Sequence, residues 1–342
     1  MNLHCMHEEK FVEPFIEFIE KNFDAAQHKY VIWRSERFKS KPRVNILFVE
    51  KSVGRFEQFL LYTKNLNRAD KIFLHGLFHS AMFVILFTQP WLLKKCYWII
   101  WGGDLYSRQE NRIGYKSKLF EWVRSSVISR IGNFVTQIKG DYELAQQWYG
   151  VRGRWHECFV YPSNLYHEVP TQSSAHEGIN ILLGNSADPS NNHIEVIDKL
   201  KRHAGEKIRV YCPLSYGNQE YAQKVATYGT SHFGEKFIAL RNFMPLDEYN
   251  GLLSKIDIAI FNHKRQQGMG NITTLLGMGK KVYLRKEIST WSFLQGLGIT
   301  VFDINSLDFS RIEASFSDRN SDIVKKYFSE KNLISQLGKI IQ

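Results

Sequence analysis

Apolar and polar residues follow two alternating patterns along most of the chain. Short runs of apolar, mainly β-branched and aromatic residues alternate with longer stretches in which apolar residues recur at every third or fourth position. The short runs favour buried strands and the longer stretches favour helices, so the alternation predicts parallel sheets flanked by helices. The predicted strands are 30–33, 44–49, 72–75, 96–101, 134–138, 158–161, 179–183, 208–212, 237–240, 256–261, 281–284 and 300–302. The predicted helices are 55–65, 114–131, 141–149, 192–203, 219–228, 246–254 and 272–279.

The alternation forms two series that are separated by a polar segment. Residues 162–178 contain Pro162, Pro170 and a cluster of Thr and Ser, a composition typical of a linker between domains. We therefore expect an α/β protein with two Rossmann-like domains, 1–165 and 176–342, that face each other across a cleft, and a C-terminal helix that can pack back on the first domain. Ligands of open α/β sheets bind at the carboxyl ends of strands, so the residues that follow each strand are the candidates for function.

The charge balance indicates an anionic partner. The 342 residues include 45 Lys and Arg against 34 Asp and Glu, a formal net charge of +11. A basic surface of this kind suits a nucleic acid, an anionic membrane or a phosphorylated substrate. The four cysteines are scattered without a CxxC pair, and neither a secretory signal nor an apolar stretch of spanning length is present. These features favour a protein of the reducing cytosol that can lie on a membrane without crossing it.

One loop of the second half is suited to a phosphate-bearing ligand. It follows the predicted strand 179–183 and begins with Gly184, Asn185 and Ser186. Glycine allows a close approach of the backbone, the two polar side chains can donate hydrogen bonds, and the free N–H groups of the following helix favour an anion. An ordinary strand–helix turn with a polar cap is the alternative interpretation.

A second loop of the same half, residues 261–271, is basic and rich in glycine. Arg265 supplies positive charge, and Gly268 and Gly270 allow backbone N–H groups to reach a ligand. Asn271 then begins a helix, whose N-terminus favours a diphosphate. The alternative is a solvated basic loop.

Two titratable residues of the first half also follow predicted strands. His75 comes at the end of the strand 72–75, and Asp104 follows Trp101, Gly102 and Gly103. At the carboxyl edge of a sheet, either side chain could accept a proton from a substrate hydroxyl. A helix cap or a buried hydrogen-bonded side chain is the alternative for each.

Two further segments have the composition of a membrane contact. Residues 82–93 are mostly apolar and are followed by Lys94 and Lys95, and residues 116–131 place Trp122 and Arg124 among apolar and basic neighbours. Basic amphipathic segments with aromatic residues suit an anionic lipid surface. For the second segment, a core-facing helix with a solvated charged side is the alternative.

Four motifs, taken together, resemble glycosyltransferase family 56. They are His75-Gly76-x-Phe78, Trp101-Gly102-x-Asp104-Leu105-Tyr106, Gly184-Asn185-Ser186-x-Asp188-x-Ser190-Asn191-x-His193 and Arg265-Gln266-Gln267-Gly268-x-Gly270. The resemblance implies a GT-B fold, with an acceptor-binding first domain and a donor-binding second domain. It also implies transfer of a 4-acetamido-4,6-dideoxyhexose from a TDP-sugar to an undecaprenyl-diphosphate-linked acceptor. Such an enzyme works peripherally at the cytoplasmic face of the bacterial inner membrane, without a cofactor.

The resemblance and the loop chemistry together give a set of expected site residues. Asp104 or His75 is the expected catalytic base if the reaction inverts configuration, and no metal ligand is expected. Acceptor contacts are expected from His79, Trp101, Gly102 and Tyr106. Donor contacts are expected from Gly184, Asn185, Ser186, Asn191, Tyr211, Arg265, Gln266, Gln267, Gly268, Gly270, Asn271 and Glu287.

Three positions depart from the family pattern. Ile99 and His79 stand where the family has a histidine and an asparagine, respectively. Thr274 stands where many GT-B enzymes carry a glutamate that binds ribose, and Glu287 is the candidate substitute. Two other functional classes stay open: a nucleotide-sugar epimerase of the same fold, and a basic nucleotide-binding module without transferase activity. A nucleic-acid partner is not expected, because neither an RNP-like motif nor a helix-turn-helix is recognisable.

Overall fold

The computed structural model describes residues 1–50, 52–106, 115–168 and 176–342, without the side chains of residues 55 and 115–117. Part of the expected linker, 169–175, and the side chain of Lys116 lie outside the described residues. The chain divides into two compact units. The first unit contains Met1–Ser163 together with Glu330–Gln342, and the second contains Asn164–Ser329.

The first unit is built around a parallel sheet of seven strands. Their order across the sheet reverses between the first and fourth strands, which creates a topological switch point at the sheet centre. The strands are β1 (Asn2–His7), β2 (His28–Trp33), β3 (Ile46–Val49), β4 (Lys71–His75), β5 (Cys96–Ile99), β6 (Asn133–Thr136) and β7 (Arg154–Glu157), in the order β3-β2-β1-β4-β5-β6-β7. The helices are α1 (Val12–Asn22), α2 (Arg55–Arg68), α3 (Ser80–Thr88), α4 (Gly103–Tyr106), α5 (Tyr115–Ile128) and α6 (Lys139–Tyr149).

The second unit repeats this plan with six parallel strands, and its order reverses between β8 and β11. The strands are β8 (Ile179–Leu183), β9 (Ile208–Pro213), β10 (Phe237–Leu240), β11 (Ile258–Phe261), β12 (Lys281–Leu284) and β13 (Phe302–Asp303), in the order β10-β9-β8-β11-β12-β13. The helices are α7 (His193–Leu200), α8 (Gln219–Phe233), α9 (Leu246–Ser254), α10 (Met269–Gly277), α11 (Ser289–Gly296) and α12 (Ala314–Tyr327). The last helix, α13 (Glu330–Ile341), belongs to the first unit.

Side-chain alternation along the central strands supplies a core on each face of the second sheet. In β11, Ile258 and Ile260 pack into one apolar cluster, whereas Ala259 and Phe261 pack into another. Successive residues of a strand point to opposite faces, so a strand buried on both sides is a continuous apolar run. This is why the pattern predicted the central strands β8 and β11 well.

In the first unit, one strand was not predicted and one predicted strand is wrong. β1 was not predicted, because Asn2 and His4 interrupt its apolar pattern, yet both are buried. The Asn2 side chain donates to the Ile341 carbonyl at 3.2 Å, so its polar group is satisfied within the fold. Residues 158–161 do not form a strand. The edge strand is the more polar segment Arg154–Glu157, and the apolar run after it is a buried turn.

Candidate active site

In the second unit, the two loops singled out from the sequence lie side by side. β8 and β11 are paired in parallel, so residues 184–193 and residues 262–268 leave the same edge of the sheet at its switch point. We call these two segments the paired loops. Ligands of open α/β sheets bind at such a position.

Asn191 connects the paired loops. It is fully buried, and its Oδ1 accepts hydrogen bonds from the Asn185 backbone N–H at 3.0 Å and from His263 Nε2 at 2.9 Å. Its Nδ2 donates to the Asp188 carbonyl at 3.0 Å. Burial lowers the pKa of His263 to about 3, so the imidazole is neutral at pH 7 and carries its proton on Nε2.

Two glycines let the backbone approach the buried imidazoles. Gly184 has φ +71°, and a Cβ there would lie 2.5 Å from His193 Nε2. Gly268 has φ +72°, and a Cβ there would lie 3.0 Å from His263 Cε1. Gly268 also precedes α10, whose first N–H groups are free to bind an anion. Both positions therefore need glycine for conformation and for space.

Several polar atoms of the paired loops are buried without a hydrogen-bond partner among the residues that the structure describes. They are Asn185 Oδ1, His193 Nε2, Asn262 Oδ1, His263 Nδ1 and Gln267 Nε2. Leaving such a group unpaired costs about 1–3 kcal/mol, so a cluster of them calls for an explanation. The set combines hydrogen-bond donors and acceptors, which suits a polar ligand with hydroxyl, amide or phosphate groups.

Arg265, a positively charged side chain of the paired loops, lies next to the acidic Asp188. Arg265 Nη2 lies 3.6 Å from Asp188 Oδ2, and Ser190 donates to Asp188 Oδ1 through its backbone N–H at 2.8 Å. Burial alone would raise the pKa of Asp188, but the bonds from Ser190 and the charge of Arg265 lower it overall. Arg265 is only partly buried, so its guanidinium can also bind an anion.

Of the other expected donor residues, Ser186 and Gln266 belong to the paired loops and the rest lie outside them. Asn271 donates to the Tyr249 hydroxyl at 2.9 Å, Tyr211 is partly buried beside an apolar cluster, and Gly270 is exposed. Ser186 is buried and accepts from Asn191, Gln266 is partly buried, and Glu287 is exposed between β12 and α11. The sequence interpretation missed Tyr216, whose hydroxyl accepts from Asn185 Nδ2 at 3.2 Å. It comes from the loop after β9, and no motif marked it.

Asp104 does not occupy the position expected of a base. Its carboxylate is fully buried, and Oδ2 accepts from the Leu77 N–H at 3.0 Å and from Trp98 Nε1 at 2.7 Å. Oδ1 accepts from the N–H groups of Trp101 and Leu105, both at 3.0 Å. The pKa of Asp104 is raised overall, because the effect of burial outweighs that of these hydrogen bonds, which lower the pKa. The expectation of a base is corrected: Asp104 ties the loop after β4 to the loop after β5.

His75 is also a buried connecting residue. Its Nδ1 lies 2.7 Å from the Tyr161 hydroxyl, and its Nε2 lies 3.0 Å from His4 Nδ1. The chain of imidazoles continues from His4 Nε2 to His28 Nδ1 at 2.9 Å. Burial lowers the pKa of His75 to about 3. Both ring nitrogens already have protein partners, so the expectation that His75 contacts a substrate is corrected as well.

The residues expected to contact the acceptor all follow β4 or β5 along the chain. Trp101 is partly exposed, donates from Nε1 to the Tyr161 hydroxyl at 2.9 Å, and lies 5.6 Å from Phe78 between ring centroids. Gly102 has φ +88°, which turns the chain into α4. Tyr106 is partly buried and its hydroxyl donates to Asp141 Oδ1 at 3.3 Å. His79 stacks on Trp33 with ring centroids 4.0 Å apart.

The residues expected at a membrane divide into exposed and buried ones. Trp122 is 58% exposed and Lys94 is exposed. Lys95 is half-buried and donates to the Ala69 carbonyl. Arg124 is buried and donates to the Asp104 carbonyl, so its assignment to a lipid surface is corrected. Within the described residues, no helix is long and apolar enough to cross a membrane, and no cluster of three or more His, Cys, Asp or Glu could hold a metal ion.

Comparisons with known proteins agree with this architecture. Residues 6–323 match the family model described as 4-alpha-L-fucosyltransferase, glycosyl transferase group 56. Among solved structures, Anabaena HepE in complex with UDP and glucose is 14% identical with a TM-score of 0.70, over 100% of this chain and 99% of that one. The UDP-forming α,α-trehalose-phosphate synthase of Burkholderia vietnamiensis is 8% identical with a TM-score of 0.65, over 100% and 99% of the two chains.

The fold is therefore the two-domain α/β fold of the GT-B glycosyltransferases, and the protein is a hexosyltransferase. More particularly, the chain belongs to glycosyltransferase group 56. This confirms the family resemblance and the fold class. A glycosyltransferase of this kind uses a nucleotide-sugar donor and an acceptor.

Proposed function

We propose that this enzyme transfers a 4-acetamido-4,6-dideoxyhexose from a TDP-sugar to an undecaprenyl-diphosphate-linked oligosaccharide in bacterial surface-polysaccharide synthesis. The donor binds at the paired loops of the second unit, and the acceptor binds at the carboxyl edge of the first sheet. The reaction takes place at the cytoplasmic face of the inner membrane, where the enzyme is peripheral. The observation that carries the donor side is the cluster of buried, unpaired polar atoms around Asn191.

The paired loops provide what a sugar diphosphate needs. Arg265 and the first N–H groups of α10 supply the positive field that a diphosphate requires as a leaving group. The unpaired atoms of Asn185, His193 and Gln267 can bind neutral hydroxyl and amide groups of a sugar. Because His193 and His263 are buried and neutral, they orient these groups without adding charge.

An exposed apolar surface on the first unit supports a lipid-bearing acceptor. Trp91, after α3, is 62% exposed, and Val84, Leu119 and Trp122 of α3 and α5 are also exposed. α3 and α5 pack against each other, Trp122 of α5 contacts Phe87 of α3 with ring centroids 5.3 Å apart, and Trp91 lies in the turn that follows α3. We call Val84, Trp91, Leu119 and Trp122 the α3–α5 surface. Exposed tryptophans beside Lys94 suit an anionic lipid interface.

The experiment that tests the function is product analysis with a panel of nucleotide sugars. Purified enzyme is incubated with TDP-, UDP- and GDP-linked sugars and a synthetic undecaprenyl-diphosphate disaccharide. The masses of the lipid products are then measured by mass spectrometry. We expect the mass of one acetamido-dideoxyhexose to be added from the TDP donor. Incubation with donor alone is the control, because isomerisation of the donor without acceptor would indicate an epimerase instead.

A further inference from the structure

Besides the chain of buried imidazoles at His75, the first unit contains a pair of neighbouring histidines, His7 and His79. His7 ends β1, the strand at the switch point of the seven-stranded sheet, and His79 follows the neighbouring strand β4. Their rings are nearly parallel, with centroids 4.5 Å apart, and both stack beside Trp33. The pair therefore lies where an open α/β sheet binds its ligand.

These two imidazoles differ from His75 in their accessibility. Both are partly exposed, whereas His75 is fully buried. Among the described residues, neither ring takes part in a hydrogen bond, so their nitrogens are free to meet a substrate. Accessible, hydrogen-bond-competent side chains at the carboxyl edge are the requirement for acid–base chemistry that Asp104 and His75 do not meet.

The surroundings of His7 keep it unprotonated. Burial and then the neighbouring His79 lower its pKa to about 4. The other charged groups close to it along the chain are Glu8, which is paired with Arg34 at 3.1 Å, and the partly exposed Glu9. A neutral imidazole is ready to accept a proton, and a bound anionic substrate raises its affinity for that proton.

Burial lowers the pKa of His79 as well, so this ring is also neutral at pH 7. His79 stands at the N-cap of α3, and its side chain makes no cap hydrogen bond. The positive end of a helix disfavours an imidazolium there. Its ring stacks on both Trp33 and His7, so it can hold the His7 ring in place and contact the acceptor while staying neutral.

We propose that His7 is the base that deprotonates the acceptor hydroxyl, with His79 and Trp33 as positioning residues; this rests on the proposed function. The acceptor oxygen attacks the anomeric carbon of the donor and forms the new glycosidic bond. The bond from that carbon to the diphosphate breaks, and its electron pair leaves with the diphosphate. The hydroxyl proton passes to a ring nitrogen of His7, which later releases it to water. Direct displacement of this kind inverts the anomeric configuration.

The test uses the full-length enzyme with the donor and acceptor that support wild-type transfer. We expect His7→Ala to lower kcat by about 10²–10⁴, the usual contribution of general base catalysis, while KM for the donor changes less than about threefold. Added imidazole should restore part of the kcat of His7→Ala. His79→Ala, the matched variant, should chiefly raise KM for the acceptor and should not respond to imidazole.

Other outcomes overturn the proposal. If His7→Ala and His7→Gln both keep more than half of the wild-type kcat, His7 is not the base. If a variant with the wild-type melting temperature loses kcat and imidazole does not restore it, His7 has a structural role. A product with retained anomeric configuration would exclude direct displacement. His7→Gln serves if the alanine variant does not fold. If the wild type transfers no sugar to any acceptor, the proposed function itself fails, which is a separate result.

Discussion

At the scale of single residues, position after a strand and the chemistry of the side chain give different information. His75 ends β4 and Asp104 follows β5, so both lie at the carboxyl edge of the sheet, as their sequence positions indicate. Both side chains nevertheless turn into the protein, where Asp104 accepts backbone N–H groups and His75 joins Tyr161 to His4. Which way a side chain turns depends on donors from distant segments, and a local motif does not contain them.

The connecting role of Asp104 makes a prediction about stability. Asp104→Asn replaces one acceptor oxygen by an NH₂ group, which faces the N–H donors of either Leu77 and Trp98 or Trp101 and Leu105. An unsatisfied buried donor costs about 1–3 kcal/mol, so we expect the free energy of unfolding to fall by at least about 2 kcal/mol. Urea unfolding measures it. Asp198→Asn, on the exposed side of α7, is the control and should change stability by less than about 0.5 kcal/mol.

The position of Arg265 makes a prediction about donor affinity. A charge-assisted contact to phosphate is worth about 1.5–3 kcal/mol, so Arg265→Ala should weaken TDP binding by roughly tenfold or more. Lys264→Ala removes the same charge from the exposed neighbouring position and should have a smaller effect. Isothermal titration calorimetry with TDP compares the two. Equal losses would indicate a general electrostatic effect, and an unchanged affinity in Arg265→Ala would remove this residue from the site.

At the scale of secondary-structure elements, prediction succeeded where burial and pattern agree. The pattern gave β10 and α9 with their observed bounds, because one is a short apolar run and the other a clear helical repeat. It missed β1, whose buried polar residues are satisfied by partners from β2, β4 and the C-terminal helix. His7 was missed for the same reason: without β1, nothing placed it at the switch point. Long-range pairing decides such cases, and it is not encoded in a local window.

The helices of the first unit make a prediction about lipid binding. The α3–α5 surface exposes Trp91 and Trp122 beside Lys94, so replacing both tryptophans by serine should reduce binding to anionic vesicles by about tenfold or more. Sedimentation with phosphatidylglycerol-containing and with neutral vesicles measures the effect, which should weaken in high salt. Phe243→Ser, at an exposed aromatic residue of the second unit, is the control and should bind as the wild type does. Undiminished binding of the double variant would place the lipid contact elsewhere.

At the scale of the whole molecule, the two sheets have the same kind of switch point, and in the proposed function one binds the donor and the other the acceptor. In the second unit, the loops at that point were recognisable from sequence, because glycine, asparagine and arginine occur there in a compact pattern. In the first unit, the corresponding residues are aromatic rings and histidines that come from three separate segments. The sequence therefore marks the switch-point loops of the second unit more clearly than those of the first. The net charge of +11 fits both an anionic donor and an anionic surface.

Neutral buried histidines make the stability of the whole protein depend on pH. Burial lowers the pKa of His4 well below 6.5, that of His75 and His263 to about 3, and that of His193 to about 4. Between pH 7 and 5 the unfolded chain therefore takes up protons at these residues and the native protein does not, so the unfolding free energy must fall as the pH falls. Each such group contributes a slope that approaches about 1.4 kcal/mol per pH unit below pH 6.5. Urea unfolding at pH 7, 6 and 5 measures this, and a constant or rising stability toward pH 5 would show that the imidazoles are charged in the native state.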